Sequence, residues 1–294
     1  MSDRVLRGTT KNKNIRFFAV DATDTVKEAV KLHNLSITNT VILGRLLSAG
    51  LMLGMGLKDV RDEVTIKIRG DGPAEGAIVS ARMNGQIKGY VYHPEIELPR
   101  NPDSKTIDVK NAIGNSTLTI MKDLGLKKPY SGTIELVSGE IAEDLAYYYL
   151  KSEQIPTAIG LGVLIEKDGS VKQAGGFLIQ LMPNTPEEDI VKLETSLNKF
   201  PNLTDLMDMG YSIETLINKF IMKEFEIEFF ETINANFHCD CSKENFRIGI
   251  RTLGKKEIQD IIETDGNVTA QCHFCSQSYL YDTNDLNKML DEMK

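Results

Sequence analysis

The first 238 residues of this 294-residue chain contain no cysteine. A disulfide framework through the main body of the protein is therefore excluded. Basic residues are also few, because 34 lysines and arginines stand against 42 aspartates and glutamates, for a formal net charge of −8. Proteins that bind nucleic acid usually carry a basic surface, so we expect no nucleic-acid partner.

Targeting and membrane segments are scarce as well. The N-terminus lacks the apolar core of a signal peptide, and we therefore expect a cytoplasmic protein. The one long apolar run, residues 41–57, is somewhat shorter than a membrane span and contains Arg45. Its four glycines favour a closely packed buried helix instead, and we expect no membrane partner.

Common catalytic motifs are missing too. The chain has no Gly-x-Ser-x-Gly nucleophile elbow, no Walker loop and no His-Glu-x-x-His motif. The Gly-Asp-Gly-Pro stretch at 70–73 is too short to cradle a phosphate and is typical of a turn. We predict that the protein is not an enzyme.

What the chain does have is a cluster of cysteines near its C-terminus. Cys239-x-Cys241 and Cys272-x-x-Cys275 form two close pairs with thirty residues between them. Four thiolates can hold one zinc ion in a tetrahedral site. In a reducing cytosol, clustered cysteines indicate metal binding or redox sensing rather than permanent disulfides.

The tight first pair leaves two interpretations open. A disulfide between Cys239 and Cys241 would close a small strained ring, and strained disulfides are the labile, regulatory kind. A purely structural zinc site fits the spacing equally well. His238 and His273 flank cysteines, but we expect both to be bystanders because four thiols complete the site.

Two other functions of such a cysteine module are disfavoured. A thiol oxidoreductase is expected to carry its Cys-x-x-Cys near the start of a βαβ unit, whereas this one lies in a predicted terminal hairpin. A zinc-ribbon module for nucleic acid should be basic, but residues 236–282 contain five lysines and arginines against seven aspartates and glutamates.

The periodicity of apolar residues predicts an α+β fold with antiparallel-rich sheets rather than a doubly wound parallel sheet. Residues 1–183 are expected to form a mixed core domain. Its predicted helices cover 23–35, 37–58 and 140–151, and its predicted strands cover 14–20, 64–69, 76–81, 86–92, 117–122, 132–138, 161–165 and 175–181.

The rest of the chain is predicted to form two further parts. Residues 184–231, called the connector below, are expected to be a helical linker whose first helix has Thr185 as its N-cap. Residues 232–294 are expected to be a small zinc-binding domain with two helices before a hairpin. About sixty residues bury little core, so such a domain commonly needs a metal.

The cysteine pattern resembles that of the redox-regulated heat-shock holdases, the thirty-three-kilodalton heat-shock chaperone family of bacteria. The likeness spans nearly the whole chain and includes residues 43–54, 70–73, 152–157, 174–183 and 254–260. Ser276 is a departure, because Gly or Asn often follows the second pair in that family. The turn after Cys275 is therefore expected to be less relaxed here.

This resemblance implies a mechanism. Reduced protein would hold one zinc per chain through Cys239, Cys241, Cys272 and Cys275 and be inactive. Oxidation would form Cys239–Cys241 and Cys272–Cys275 disulfides, release zinc and unfold the C-terminal zinc domain, which would thus act as a redox switch. The active form would be a homodimeric, ATP-independent holdase that binds unfolded or partly folded client proteins. A constitutive zinc-stabilised adaptor and a thiol oxidoreductase remain as alternatives.

Overall fold

Two sheets and one buried helix form the main body of the protein. The computed structural model describes residues 3–100 and 106–293. Sheet A has the order β10-β1-β2-β9-β8, and sheet B has the order β11-β5-β4-β3-β6-β7. The strands are β1 (Arg4–Thr10), β2 (Ile15–Asp21), β3 (Glu63–Gly70), β4 (Gly76–Arg82), β5 (Gln86–Val91), β6 (Ser116–Asp123), β7 (Tyr130–Glu135), β8 (Thr157–Ile165), β9 (Val171–Leu181), β10 (Ile227–Asn234) and β11 (Asn236–Phe237).

Neighbouring strands in these sheets run antiparallel, except that β11 runs parallel to β5. The helices of this part are α1 (Thr23–His33), α2 (Ile37–Met55), α3 (Val109–Ile113) and α4 (Ala142–Tyr148), the last continued by a π turn over Tyr149–Glu153. The predicted α+β class is confirmed, and the elements predicted before residue 183 are found within a few residues of their expected limits.

Helix α2 packs against strands of both sheets and forms the centre of the main core. Ser36 caps it by accepting a hydrogen bond from the backbone N–H of Asn39, as predicted. A Cβ on Gly54 would come within 2.9 Å of the carbonyl oxygen of Arg82, so glycine there lets the helix lie close to sheet B. In the described part of the chain, α2 is the one helix long and apolar enough to span a membrane, but it is almost wholly buried in the fold.

The connector covers the face of sheet A that points away from α2. It contains α5 (Glu187–Asn198), α6 (Leu203–Asp208), α7 (Ile213–Leu216) and a π turn over Ile217–Ile221, followed by β10. These elements share a second apolar cluster with sheet A, whose buried members are Leu6, Ile15, Phe17, Ala19, Phe177, Ile179, Leu193, Leu203, Leu206, Met207, Ile213, Leu216, Ile217, Ile221 and Met222.

The predicted N-cap of the first connector helix is wrong. Helix α5 begins at Glu187 and is preceded by Pro186, which makes no side-chain cap. The Thr185 hydroxyl instead donates hydrogen bonds to the carbonyl oxygens of Asn14 and Met182. Thr185 therefore ties the chain to the end of sheet A, because a hydroxyl can satisfy nearby backbone groups as readily as it caps a helix.

The C-terminal residues form a small unit with its own core. It contains α8 (Lys243–Arg251), α9 (Lys255–Thr264), the hairpin β12 (Asn267–Gln271) and β13 (Ser278–Asp282), and α10 (Thr283–Glu292). The predicted hairpin preceded by two helices is confirmed. Five side chains are buried in its apolar cluster: Ile250, Ile258, Tyr281, Leu286 and Met289.

The chain divides into two compact units, Met1–His238 and Cys239–Lys294. In the N-terminal unit the connector is packed on sheet A, and its last strand belongs to that sheet. The predicted division into a core domain, a connector and a zinc domain concerns which segments unfold together, and it stays a prediction.

Candidate metal centre

The four cysteine thiols converge in the C-terminal unit. All four Sγ atoms lie within 4.8 Å of one another. The Sγ atoms of Cys239 and Cys272 are 3.7 Å apart, and those of Cys241 and Cys275 are 3.3 Å apart. In a tetrahedral site with Zn–S bonds of about 2.3 Å, neighbouring sulfurs are roughly 3.8 Å apart. The donor set and its spacing therefore fit one zinc ion.

Local structure brings each pair to this point. The second pair lies in the turn between β12 and β13, where the N–H of Cys272 donates to the carbonyl oxygen of Gln277 (2.9 Å) and the N–H of Ser276 donates to that of Cys272 (2.8 Å). The first pair directly precedes α8, whose N-cap Ser242 accepts a hydrogen bond from the N–H of Asn245. The second pair is thus fixed by backbone hydrogen bonds of the hairpin turn, and the first pair lies directly before the capped start of α8.

Tyr279 is a neighbour of the cluster that the sequence analysis missed. Its Oη donates a hydrogen bond to the carbonyl oxygen of Cys241 (3.1 Å) and lies 3.2 Å from the Cys241 Sγ. Its ring packs against that of Phe246 on α8, with centroids 5.4 Å apart. The sequence carried one signal for this neighbour. Tyr279 lies in the strand that leaves the cysteine turn, and it shares one face of β13 with Tyr281. Tyr279 therefore connects the strand that follows the second pair to Cys241 of the first pair.

Burial and hydrogen bonding shift the thiol pKa values in opposite directions. Burial raises the pKa of the Cys239 thiol well above its usual range and that of Cys275 to about 11. Burial also opposes ionisation of Cys241, but hydrogen bonds from Tyr279 and the neighbouring thiols outweigh it and lower the pKa of Cys241. Four ionised thiols at these distances repel one another, so full ionisation of the cluster needs a cation.

The flanking histidines lie outside the cluster. Within residues 3–100 and 106–293, the only convergent group of three or more potential metal-ligating side chains is the four cysteines. The backbone N–H of His238 donates to the carbonyl oxygen of Ile87 in the N-terminal unit. Neither histidine belongs to this group, and their role as bystanders stays a prediction.

Comparison with known proteins agrees with this arrangement. The profile of the Hsp33 protein family matches residues 3–282. The chain belongs to the Hsp33 family. The "33 kDa chaperonin" of Agathobacter rectalis is 44% identical over 289 residues, which cover 98% of this chain and all of that protein. The "33 kDa chaperonin" of Bacillus licheniformis is 40% identical over 292 residues, covering 99% of this chain and all of that protein.

A solved Hsp33 structure has the same fold. The crystal structure of the 33 kDa chaperonin (heat shock protein 33 homolog) from Thermotoga maritima superposes with a TM-score of 0.92 at 33% identity, covering all of this chain and 99% of that one. Membership of the Hsp33 family supports a chaperone function linked to stress. The resemblance deduced from the cysteine pattern is confirmed.

Ser276 lies at a strained position beside the candidate metal centre. Its φ angle is +60°, in the left-handed region that favours glycine. A side chain in this region costs roughly 1–2 kcal/mol because Cβ crowds the following carbonyl oxygen. The resemblance predicted a less relaxed turn here, and the backbone angle agrees with that expectation.

Replacing Ser276 with glycine is therefore expected to stabilise the turn by about 1 kcal/mol, because the left-handed strain is relieved. Zinc should be released roughly five times more slowly to a chelator, as measured with a colorimetric zinc indicator. Ser278→Gly is the matched control, since Ser278 lies in strand β13 without a positive φ and its replacement should weaken the hairpin. Equal release rates for wild type and Ser276→Gly would contradict the argument.

Proposed function

We propose that the protein is a redox-regulated, ATP-independent holdase that binds unfolding proteins under oxidative stress. The observation that carries this proposal is the convergence of four cysteine thiols in a small C-terminal unit of an Hsp33 family member. Cys239, Cys241, Cys272 and Cys275 would hold one zinc ion per chain in the reduced, inactive form. Bound zinc would cross-link the two cysteine pairs and keep their sulfurs as thiolates.

The proposed oxidation converts each pair of thiols into a disulfide. Two thiolates give up two electrons to one molecule of hydrogen peroxide, which takes up two protons from the solvent and becomes two molecules of water. We propose the pairs Cys239–Cys241 and Cys272–Cys275. These pairings are the ones that the resemblance to the redox-regulated holdases implies. A disulfide sulfur is a poor zinc ligand, so oxidation removes the donor set.

Loss of the metal site would unfold the C-terminal unit, Cys239–Lys294, because its apolar core is small. The connector, residues 184–231, would then loosen from the core domain, residues 1–183. Its release would uncover the apolar face of sheet A that includes Leu6, Phe17 and Ile179. An exposed apolar face of this kind suits the binding of unfolded or partly folded clients.

We infer a cytoplasmic protein that dimerises with a second copy when active, and that neither binds nucleic acid nor associates with a membrane. An enzymatic role as a thiol oxidoreductase is disfavoured, because the Cys272-x-x-Cys275 turn lies in a hairpin rather than at the N-terminus of a helix.

The proposal is tested by following zinc release and client aggregation in the same sample. Peroxide at raised temperature is expected to release one zinc per chain and to switch on suppression of aggregation, measured by light scattering of a heat-denatured client. Reduced, zinc-loaded protein kept under the same conditions without peroxide is the control. Full activity of this reduced form would contradict redox regulation and favour a constitutive zinc-stabilised adaptor.

A further inference from the structure

The N-terminal unit contains a cavity that the proposed switch does not use. It measures about 440 Å³, which is in the range of pockets that hold small ligands. The cavity lies between sheets A and B at the C-terminal end of α2. Its apolar wall includes Phe18 from β2, Met52 and Leu53 from α2, and Leu178 from β9.

A half-buried arginine lines this cavity. Arg16 lies on the same face of β2 as Phe18 and Val20, both of which are buried in the main core. A charged side chain at the edge of an apolar core is costly to desolvate unless it has a partner. Among residues 3–100 and 106–293, however, no carboxylate forms an ion pair or hydrogen bond with Arg16.

The orientation of Arg16 is fixed by a neighbouring amide. Its Nε donates to the Oε1 of Gln180 at 2.7 Å, and Gln180 is almost fully buried, with 2% of its surface exposed. The Nε2 of Gln180 in turn donates to the hydroxyl of Thr157 at 3.1 Å. This chain of hydrogen bonds uses only one nitrogen of the guanidinium, and the two terminal nitrogens remain for a ligand. Two parallel N–H donors of this kind match a carboxylate.

The charges around the cavity leave an excess of one positive charge. Two of the three carboxylates that line it have cationic partners, because Glu153 pairs with Lys122 at 2.7 Å and Asp59 pairs with Arg61 at 3.0 Å.

The third carboxylate, Asp62, accepts a hydrogen bond from the backbone N–H of Asp59. The lining also contains two cations, Arg16 and Lys58, and neither has a carboxylate partner in the described part of the chain. One negative charge therefore completes the balance.

We propose that this cavity binds a small molecule with a single carboxylate on an aliphatic body. The carboxylate pairs with the terminal nitrogens of Arg16, with Lys58 as a second cation. The aliphatic body lies against Phe18, Met52, Leu53 and Leu178. A monoanion fits better than a dianion, because the unpaired charges sum to one. The site lies in the N-terminal unit and does not depend on the zinc switch.

Isothermal titration calorimetry of the full-length, zinc-loaded protein with decanoate, below its micelle concentration, tests this proposal. Decanoate is expected to bind one site per chain, and decanol, which lacks the charge, is expected to bind at least tenfold more weakly. Arg16→Gln should weaken decanoate binding at least tenfold, because a charge-assisted bidentate pair is lost. Arg16→Lys keeps the charge but loses the planar guanidinium. Its affinity for decanoate should therefore lie between those of the wild type and Arg16→Gln.

Lys167→Gln is the matched control, since it removes one exposed positive charge, in the turn between β8 and β9, that does not line the cavity. It should bind decanoate as the wild type does. Zinc content and thermal unfolding of each variant would be measured alongside, so that a folding defect is recognised; if Arg16→Gln is unfolded, Arg16→Lys decides the question. Equal binding of decanoate and decanol, or unchanged binding by the Arg16 variants, would overturn the proposal. The proposal would also be overturned if decanoate failed to bind while a short apolar peptide bound through its free C-terminal carboxylate.

Discussion

Replacing Cys272 with serine is expected to abolish zinc binding and unfold the C-terminal unit. Cys272 is the most buried of the four cysteines, at 5% exposed, and its Sγ lies against that of Cys239. A serine hydroxyl does not replace a thiolate as a zinc ligand. Structural zinc contributes about 10–16 kcal/mol of apparent binding energy in small peptides, and a core of five buried side chains leaves little stability once that contribution is lost.

The expected readouts are metal content and hydrogen exchange. Zinc should fall from one per chain to none, and amides in residues 239–294 should lose their protection while those of residues 3–183 keep it. His273→Gln is the matched control, because His273 lies beside Cys272 but outside the donor cluster. A Cys272→Ser protein that retained zinc or stayed protected in the C-terminal unit would disprove the assigned role of the cysteines.

The same variant distinguishes a regulatory zinc site from a purely structural one. If unfolding of the C-terminal unit loosens the connector, exchange in residues 184–231 rises as well, and client aggregation is suppressed without an oxidant. If the zinc site only stabilises its own unit, the connector stays protected and the reduced variant remains inactive. The amides of the connector are therefore the most informative part of the exchange experiment.

The cysteine cluster could be predicted from sequence because its signal is local. Each pair needs only a short spacing and an adjacent turn or helix cap, and Ser242 supplied the cap. Tyr279 was missed because a contact between a strand residue and the opposite pair is set by tertiary packing. Helix α10 was also missed, although Asp282 caps it and Leu286, Met289 and Leu290 follow a helical spacing.

The two strands at one edge of sheet A were not predicted, for a different reason. Strand β1 lies between two apolar layers, with Val5 in the main core and Leu6 in the second cluster. Burial on both faces removes the alternation that identifies a half-buried strand. Strand β10 follows a run of helices, and its pairing with β1 is a long-range contact that no local pattern reveals.

Replacing Ile217 with alanine is expected to activate the protein without an oxidant. Ile217 lies in the π turn after α7 and is 1% exposed within the second apolar cluster. Its truncation should cost about 2–5 kcal/mol, which is a large part of the free energy that holds a short segment on a domain. The connector should then loosen from sheet A while the cysteine site, in the other unit, keeps its zinc.

The measurement combines zinc content, exchange of the connector amides and light scattering of a heat-denatured client, all in the reduced state. Val191→Ala is the matched control, since Val191 belongs to the same connector but is 52% exposed, and its truncation should change stability by less than about 0.5 kcal/mol. Ile217→Val, at about 1 kcal/mol, should give an intermediate response. An Ile217→Ala protein with a loosened connector, a full complement of zinc and no chaperone activity would show that connector release is not the activating step.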